Sequence, residues 1–138
     1  MSFDLDTLFF ATVFTSAIAG CLLLLTWLQN RDTVALALWG AGFVLGSAGL
    51  ALITLRGVVP DIWSIVIGNA ILAIAYGIGW LGVRAFEGRS LNVPVALGGA
   101  AVWLAVCAVP ALYATPRARV AVMVLIIASY TLLNAWEF

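Results

Sequence analysis

The sequence contains no lysine and no histidine; its six basic residues are all arginines, and six acids balance them to a formal net charge of zero. Without histidine there is no imidazole ligation of haem, copper or zinc. So few cationic side chains exclude a nucleic-acid surface, which needs clustered Lys and Arg to release counterions from phosphates. The two cysteines, Cys21 and Cys107, fall inside apolar runs with no Cys, His or acid beside them. They read as small buried hydrophobes, not as a metal or redox pair. No nucleophile stands next to a base and no Gly-rich phosphate loop occurs, so no catalytic residues are assigned, and neither a metal nor another cofactor is expected.

What the chain does have is apolar surface. Of its 138 residues, 65% are hydrophobic and 9% charged, and its mean hydropathy is +1.19. Water-soluble domains are roughly half apolar and about a quarter charged. The solvent for most of this chain is therefore lipid. Charged and turn-forming residues divide it into five apolar runs: 7–28, 34–55, 62–83, 93–110 and 120–138. Each has roughly the length an α-helix needs to cross a hydrocarbon core of about 30 Å. None carries an ionisable residue in its middle, and none alternates polar with apolar as barrel strands do. The predicted fold is all-α: a single domain over 1–138, an integral membrane bundle of about five transmembrane helices, antiparallel because the connections are short.

The N-terminus carries Asp4 and Asp6 without a basic segment, and the apolar run after it is too long for a signal peptide, so it is expected to be a genuine first helix. Trp27, Trp63, Trp80, Tyr113 and Trp136 fall near predicted helix ends, where amphipathic rings sit at headgroup level. Pro60 and Pro116 precede helices, and Pro94 lies in a first turn, where a missing N–H is not needed. Arginines divide three against three between alternate loops, so charge does not set the orientation; the acidic N-terminus leans toward an outside location.

Two kinds of residue stand out within the runs. Gly42 and Gly46, Ala73 and Gly77, and Ala75 and Gly79 are small residues four apart, a spacing that lets helices approach closely. Packing between the second and third helices is the favoured reading, with a dimer face as the alternative. Among the polar residues, Ser and Thr bond back to their own helix and carry little information. The Asn69 amide exceeds what its own helix can satisfy, so it is expected to face the interior and bond across helices. Tyr76 shares its face. With Asn134 in the last run, these are the candidates for an intramembrane polar pocket.

The loops add a resemblance. Trp27-Leu28-Gln29-Asn30-Arg31, Trp39-Gly40 and Leu55-Arg56-Gly57-Val58-Val59-Pro60-Asp61 with Ser64-Ile65 form one part of a pattern. Arg84-Ala85-Phe86-Glu87-Gly88-Arg89, Ala118-Arg119-Val120 and Ala135-Trp136-Glu137-Phe138 form the other. Together they resemble the N-terminal membrane region of alphaproteobacterial signalling proteins that carry a GGDEF-type diguanylate cyclase domain. The resemblance implies a multi-pass location in the bacterial inner membrane, the N-terminus outside, and a role in cyclic-di-GMP signalling. The chain departs from the pattern by stopping at Phe138 without a GGDEF segment, so a shortened form or a stand-alone relative is expected, and no cyclase activity is carried over.

Three functions compete. The first is a membrane sensory or anchoring module, in which a ligand or membrane property biases two packings of the bundle and the shift leaves through the last helix. The second is a small accessory or structural subunit of a larger membrane complex. The third, a dimeric transporter, is disfavoured because no charged residue lies within the membrane. The expected partners are the lipid bilayer and either a second copy or a larger membrane complex, with no nucleic acid.

Overall fold

Backbone in hydrocarbon has no water to bond to, so each apolar run must satisfy its own N–H and C=O groups. In the computed structural model, which describes residues 5–138 and side chains from Thr7 onward, it does so by coiling. Asp4 and the side chain of Asp6, which carried the reading of the N-terminus, lie outside the described residues. The elements are α1 (Leu5–Gln29), α2 (Val34–Thr54), a π-helical turn (Ile62–Ile67) running directly into α3 (Gly68–Phe86), α4 (Val93–Cys107), the single turn α5 (Pro110–Tyr113) and α6 (Pro116–Glu137). No strand occurs among the described residues; the one bridge, Arg56 to Val59, sits in a turn. The protein is an all-α bundle in which α1, α2, α3 with its π turn, and α6 are each long and apolar enough to cross a membrane.

The fourth run does not reach the expected Pro110 as one helix. α4 ends at Cys107 after 15 residues, about 22 Å of rise, and falls short of a hydrocarbon core of about 30 Å. Pro110 has no N–H to continue the ladder, and it holds Val109 extended at φ −94°, ψ 108°. The helix restarts as α5. The last helix begins at Pro116, not at Val120, because proline suits the first helical position and carries Arg117 and Arg119 into the first turn.

Helix α3 is the hub. It packs against α2, α4 and α6, whereas α1 touches only α2. Three of these four contacts depend on a missing side chain. At the α1–α2 crossing, a Cβ on Gly20 would lie 2.9 Å from the carbonyl oxygen of Gly40. Between α2 and α3, one on Gly49 would lie 2.9 Å from the Gly68 carbonyl oxygen. Between α3 and α4, a Cβ on Gly77 would run into the backbone of Ala96. The two small-residue pairs on α3 thus serve different neighbours. Ala75 and Gly79 face Gly42 and Gly46 of α2, as expected. Gly77 meets α4 instead, and Ala73, one turn earlier on that face, is fully buried in the same cluster as Ala96, Ala100 and Trp103.

The aromatic belt is also only partly as expected. Trp63 and Trp136 are exposed, but Trp80 is 3% exposed, inside the core. Its ring lies beneath the guanidinium of Arg84, 5.2 Å from the Cζ atom, so it faces the bundle and not the surrounding lipid.

Two substitutions on α3 separate these roles. Gly77→Ala drives a methyl into the α4 backbone and should destabilise the protein by about 1–3 kcal/mol. Gly79→Ala places its methyl where nothing lies within 4 Å, and should leave stability unchanged or raise it by up to about 1 kcal/mol. Reversible unfolding in mixed detergent micelles measures both.

Candidate functional site

The π turn at the start of α3 is where local structure first departs from a plain helix. A wider turn tilts its carbonyls away from the ladder, and side chains can then reach them. Nδ2 of Asn69 donates to the Ile65 carbonyl at 2.7 Å, and Nε1 of Trp103, from α4, donates to the Val66 carbonyl at 3.0 Å. Asn69 therefore bonds within its own helix, contrary to the expected cross-helix bond; the bond across helices comes from Trp103. Asn69 does not join the other candidate residues.

Tyr76 and Asn134 are brought together. They line a half-open cavity of about 320 Å³, near the lower end of the roughly 300–1,000 Å³ usual for small-molecule sites. Thr12 and Ser16 of α1 form one wall, and Tyr76 and Asn134, from α3 and α6, stand in the others. The floor is the small-residue seam of α2 and α3, with Gly42, Gly46, Ala75 and Gly79. The cavity exists because α1 packs on α2 and on nothing else, leaving a gap between α1 and the α3–α6 side. No charged residue lines it.

Its polar groups fall into two sets. The hydroxyls of Thr12 and Ser47 donate to the carbonyls of Leu8 and Val44 in their own helices, at 2.8 and 2.7 Å. Neither Ser16 nor Tyr76 makes a side-chain hydrogen bond to the described residues. Tyr76 lies near the middle of the membrane span and is 37% exposed. It sits ten residues before the end of α3, about 15 Å, too far for its hydroxyl to reach the headgroups. Nδ2 of Asn134 donates to the Tyr130 carbonyl at 2.9 Å. That carbonyl can only accept, which fixes the orientation of the amide and leaves the buried Oδ1 without a partner.

One turn beyond Asn134, α6 ends in an ion-pair clasp. Glu137 is 4% exposed, and its Oε1 and Oε2 accept from Nη1 of Arg84 at 2.7 Å and Nη1 of Arg89 at 2.6 Å. The loop that brings the second arginine back follows from Gly88, which adopts φ +68° after α3. The Arg89 N–H then closes on the Arg84 carbonyl and the Gly88 N–H on the Ala85 carbonyl, the Schellman pattern of a helix C-terminus. Nε of Arg84 also donates to the Ser90 carbonyl at 2.8 Å. A second tie holds α6 to α4: the Tyr130 hydroxyl lies 2.7 Å from the Ala96 carbonyl oxygen and accepts from the Gly99 N–H at 3.0 Å. The ring fits because Gly99 has no side chain.

Sequence reasoning missed both ties. Tyr130 was one hydroxyl among several, and Glu137 stands 53 and 48 residues from its partners. The available signal was a lone acid closing an apolar helix on the same side of the bundle as the Arg84–Arg89 loop. Among the described residues no cluster of His, Cys, Asp or Glu could hold a metal ion. Compared with protein-family models, curated proteins and solved structures, the chain shows no match.

Glu137→Gln should lower the unfolding midpoint in detergent more than Arg89→Gln does, because it leaves Arg84, largely covered, without a counter-charge. The Arg89→Gln loss should shrink at high salt, since the Arg89 side chain is nearly half exposed and screened. Tyr130→Phe should cost about 1–2 kcal/mol by the same unfolding measurement.

Proposed function

We propose that this multi-pass membrane protein is the sensory module of a bacterial inner-membrane signalling protein, of the kind whose output is a diguanylate cyclase. The observation that carries the reading is the sharing of α6 between a mid-membrane cavity and an ion-pair clasp. Asn134 stands in the cavity wall, and Glu137, three residues on, is the clasped group. A rigid helix transmits displacement along its axis, so an occupant that moves Asn134 also strains or relaxes the clasp. Two arrangements, clasped and released, would give the bistable element that signalling needs. The resemblance of the loop segments to the membrane regions of such proteins supports the signalling context and puts Arg31, Arg84 and Arg89 on the cytoplasmic side in this reading. No catalytic role is assigned to the chain.

The test joins a diguanylate cyclase domain after Phe138 and measures cyclic-di-GMP in cells at matched membrane levels. Glu137→Gln, which opens the clasp, and Gly79→Leu, which fills the cavity, should each change output by at least about fivefold, the lower end of usual allosteric couplings. Output indifferent to both would contradict the proposal. Recovery of the unfused chain as a stoichiometric part of a larger assembly in mild detergent would favour the accessory-subunit reading instead.

A further inference from the structure

We infer that the cavity between α1 and the α3–α6 side is a binding site for a neutral, ring-sized, lipid-soluble alcohol or phenol that enters from the bilayer and hydrogen-bonds to Tyr76 and Ser16. The inference rests on the sensory reading and names the chemistry of its stimulus.

Four observations define the occupant. Its body is apolar, because the floor and most of the walls are glycine, alanine, leucine and aromatic surface. It is neutral, because no Asp, Glu or Arg lines the cavity, and an ion there would lose its hydration with nothing to replace it. It carries a hydroxyl, because the lining offers uncommitted polar groups: two hydroxyls and the buried Asn134 Oδ1. The hydroxyls of Thr12 and Ser47 are used by their own helices, while those of Ser16 and Tyr76, on opposite walls, have no side-chain bond to the described residues. A hydroxyl both donates and accepts, so one group can serve the pair. Finally, the occupant arrives laterally. α1 contacts neither α3 nor α6, so the gap lies at the level of the hydrocarbon core, where a partitioned solute is concentrated and water is not.

The size is also selective. A volume of about 320 Å³ suits a compact ring system and is too small for a whole phospholipid. Gly79 offers a clean way to close it. A Cβ there meets nothing within 4 Å, so a larger side chain grows into the cavity without disturbing the α2–α3 seam, and the Gly79 carbonyl remains free to accept from Trp39 Nε1 at 3.2 Å.

The experiment uses the chain in lipid nanodiscs, with 1-naphthol as the probe and naphthalene as its counterpart without a hydroxyl. Saturation-transfer NMR measures binding, and empty nanodiscs set the partitioning background. Saturable 1-naphthol binding is expected, roughly fivefold to tenfold weaker in Tyr76→Phe and absent in Gly79→Leu. The helical content and unfolding midpoint of Gly79→Leu should remain close to those of the parent. Naphthalene should bind at least as weakly as 1-naphthol does to Tyr76→Phe. Three results would overturn the inference: no saturation above empty nanodiscs, equal binding of the two probes (the signature of a groove filled by an acyl chain), or binding that survives Gly79→Leu. The assay reads occupancy without any output domain. Failure here would remove the ligand class while leaving signalling open, and binding without any change in the fused cyclase would remove the signalling reading while leaving the site.

Discussion

The rest of the structure depends on one constraint: in hydrocarbon, a backbone polar group must find its partner within the protein. It makes each apolar run a helix, and it also governs how the helices meet. Lipid tails are as apolar as leucine side chains, so helices gain little by hiding apolar surface from lipid and associate through close packing and hydrogen bonds. The contacts observed are of this kind. Gly20 against Gly40, Gly49 against Gly68, Gly77 against Ala96 and Gly99 against the Tyr130 ring let one backbone approach another or admit a polar side chain. Where the chain breaks its helical ladder, at the π turn and before Pro110, it does so with donors at hand or near a helix end.

The cavity is a by-product of the same rule. The seam of small residues on α2 and α3 is wider than the two helices need, and Gly79 is left facing open space. α1, held only at α2, does not cover the gap. The hydroxyls of Ser16 and Tyr76 there make no side-chain hydrogen bond to the described residues, and the nearby Asn134 Oδ1 is also without a partner. The far end of α6 shows the opposite arrangement. A carboxylate removed from solvent is tolerable only if fully paired, and Glu137 has a guanidinium for each oxygen. Open space beside Asn134 and an ion-pair lock at Glu137 thus lie within one turn of each other at the end of α6.

The helices could be read from the sequence because the signal is redundant: five long runs, free of charge in their middles, bounded by turn residues. Their interruptions could not. The end of α4 at Cys107 depends on Pro110 acting through Val109, and the π turn leaves no mark in composition or period. The candidate site was half legible. Tyr76 and Asn134 were found because a polar group within a membrane span needs a reason. Asn69 met the same criterion but was misplaced, because the π turn offered its amide a carbonyl within its own helix. Sequence does not distinguish Ser16 from the other hydroxyls, since whether a serine bonds to its own helix depends on its rotamer and surroundings. The Arg84–Glu137–Arg89 clasp joins positions about fifty apart, and residue types alone do not specify such a pairing.

The central claim is that α1, α2, α3 and α6 each cross a bilayer, with α4 and α5 together returning the chain between α3 and α6, so that the Arg84–Arg89 loop and the end of α6 lie at one face. Single cysteines introduced at Asp32, Gly57, Gly88 and Thr115, with Cys21 and Cys107 replaced by alanine, test it directly with a membrane-impermeant thiol reagent in sealed vesicles of known orientation. Positions 32 and 88 should label from one side, together with a cysteine at Phe138, and positions 57 and 115 only from the other. Labelling of all five from a single side would contradict the account.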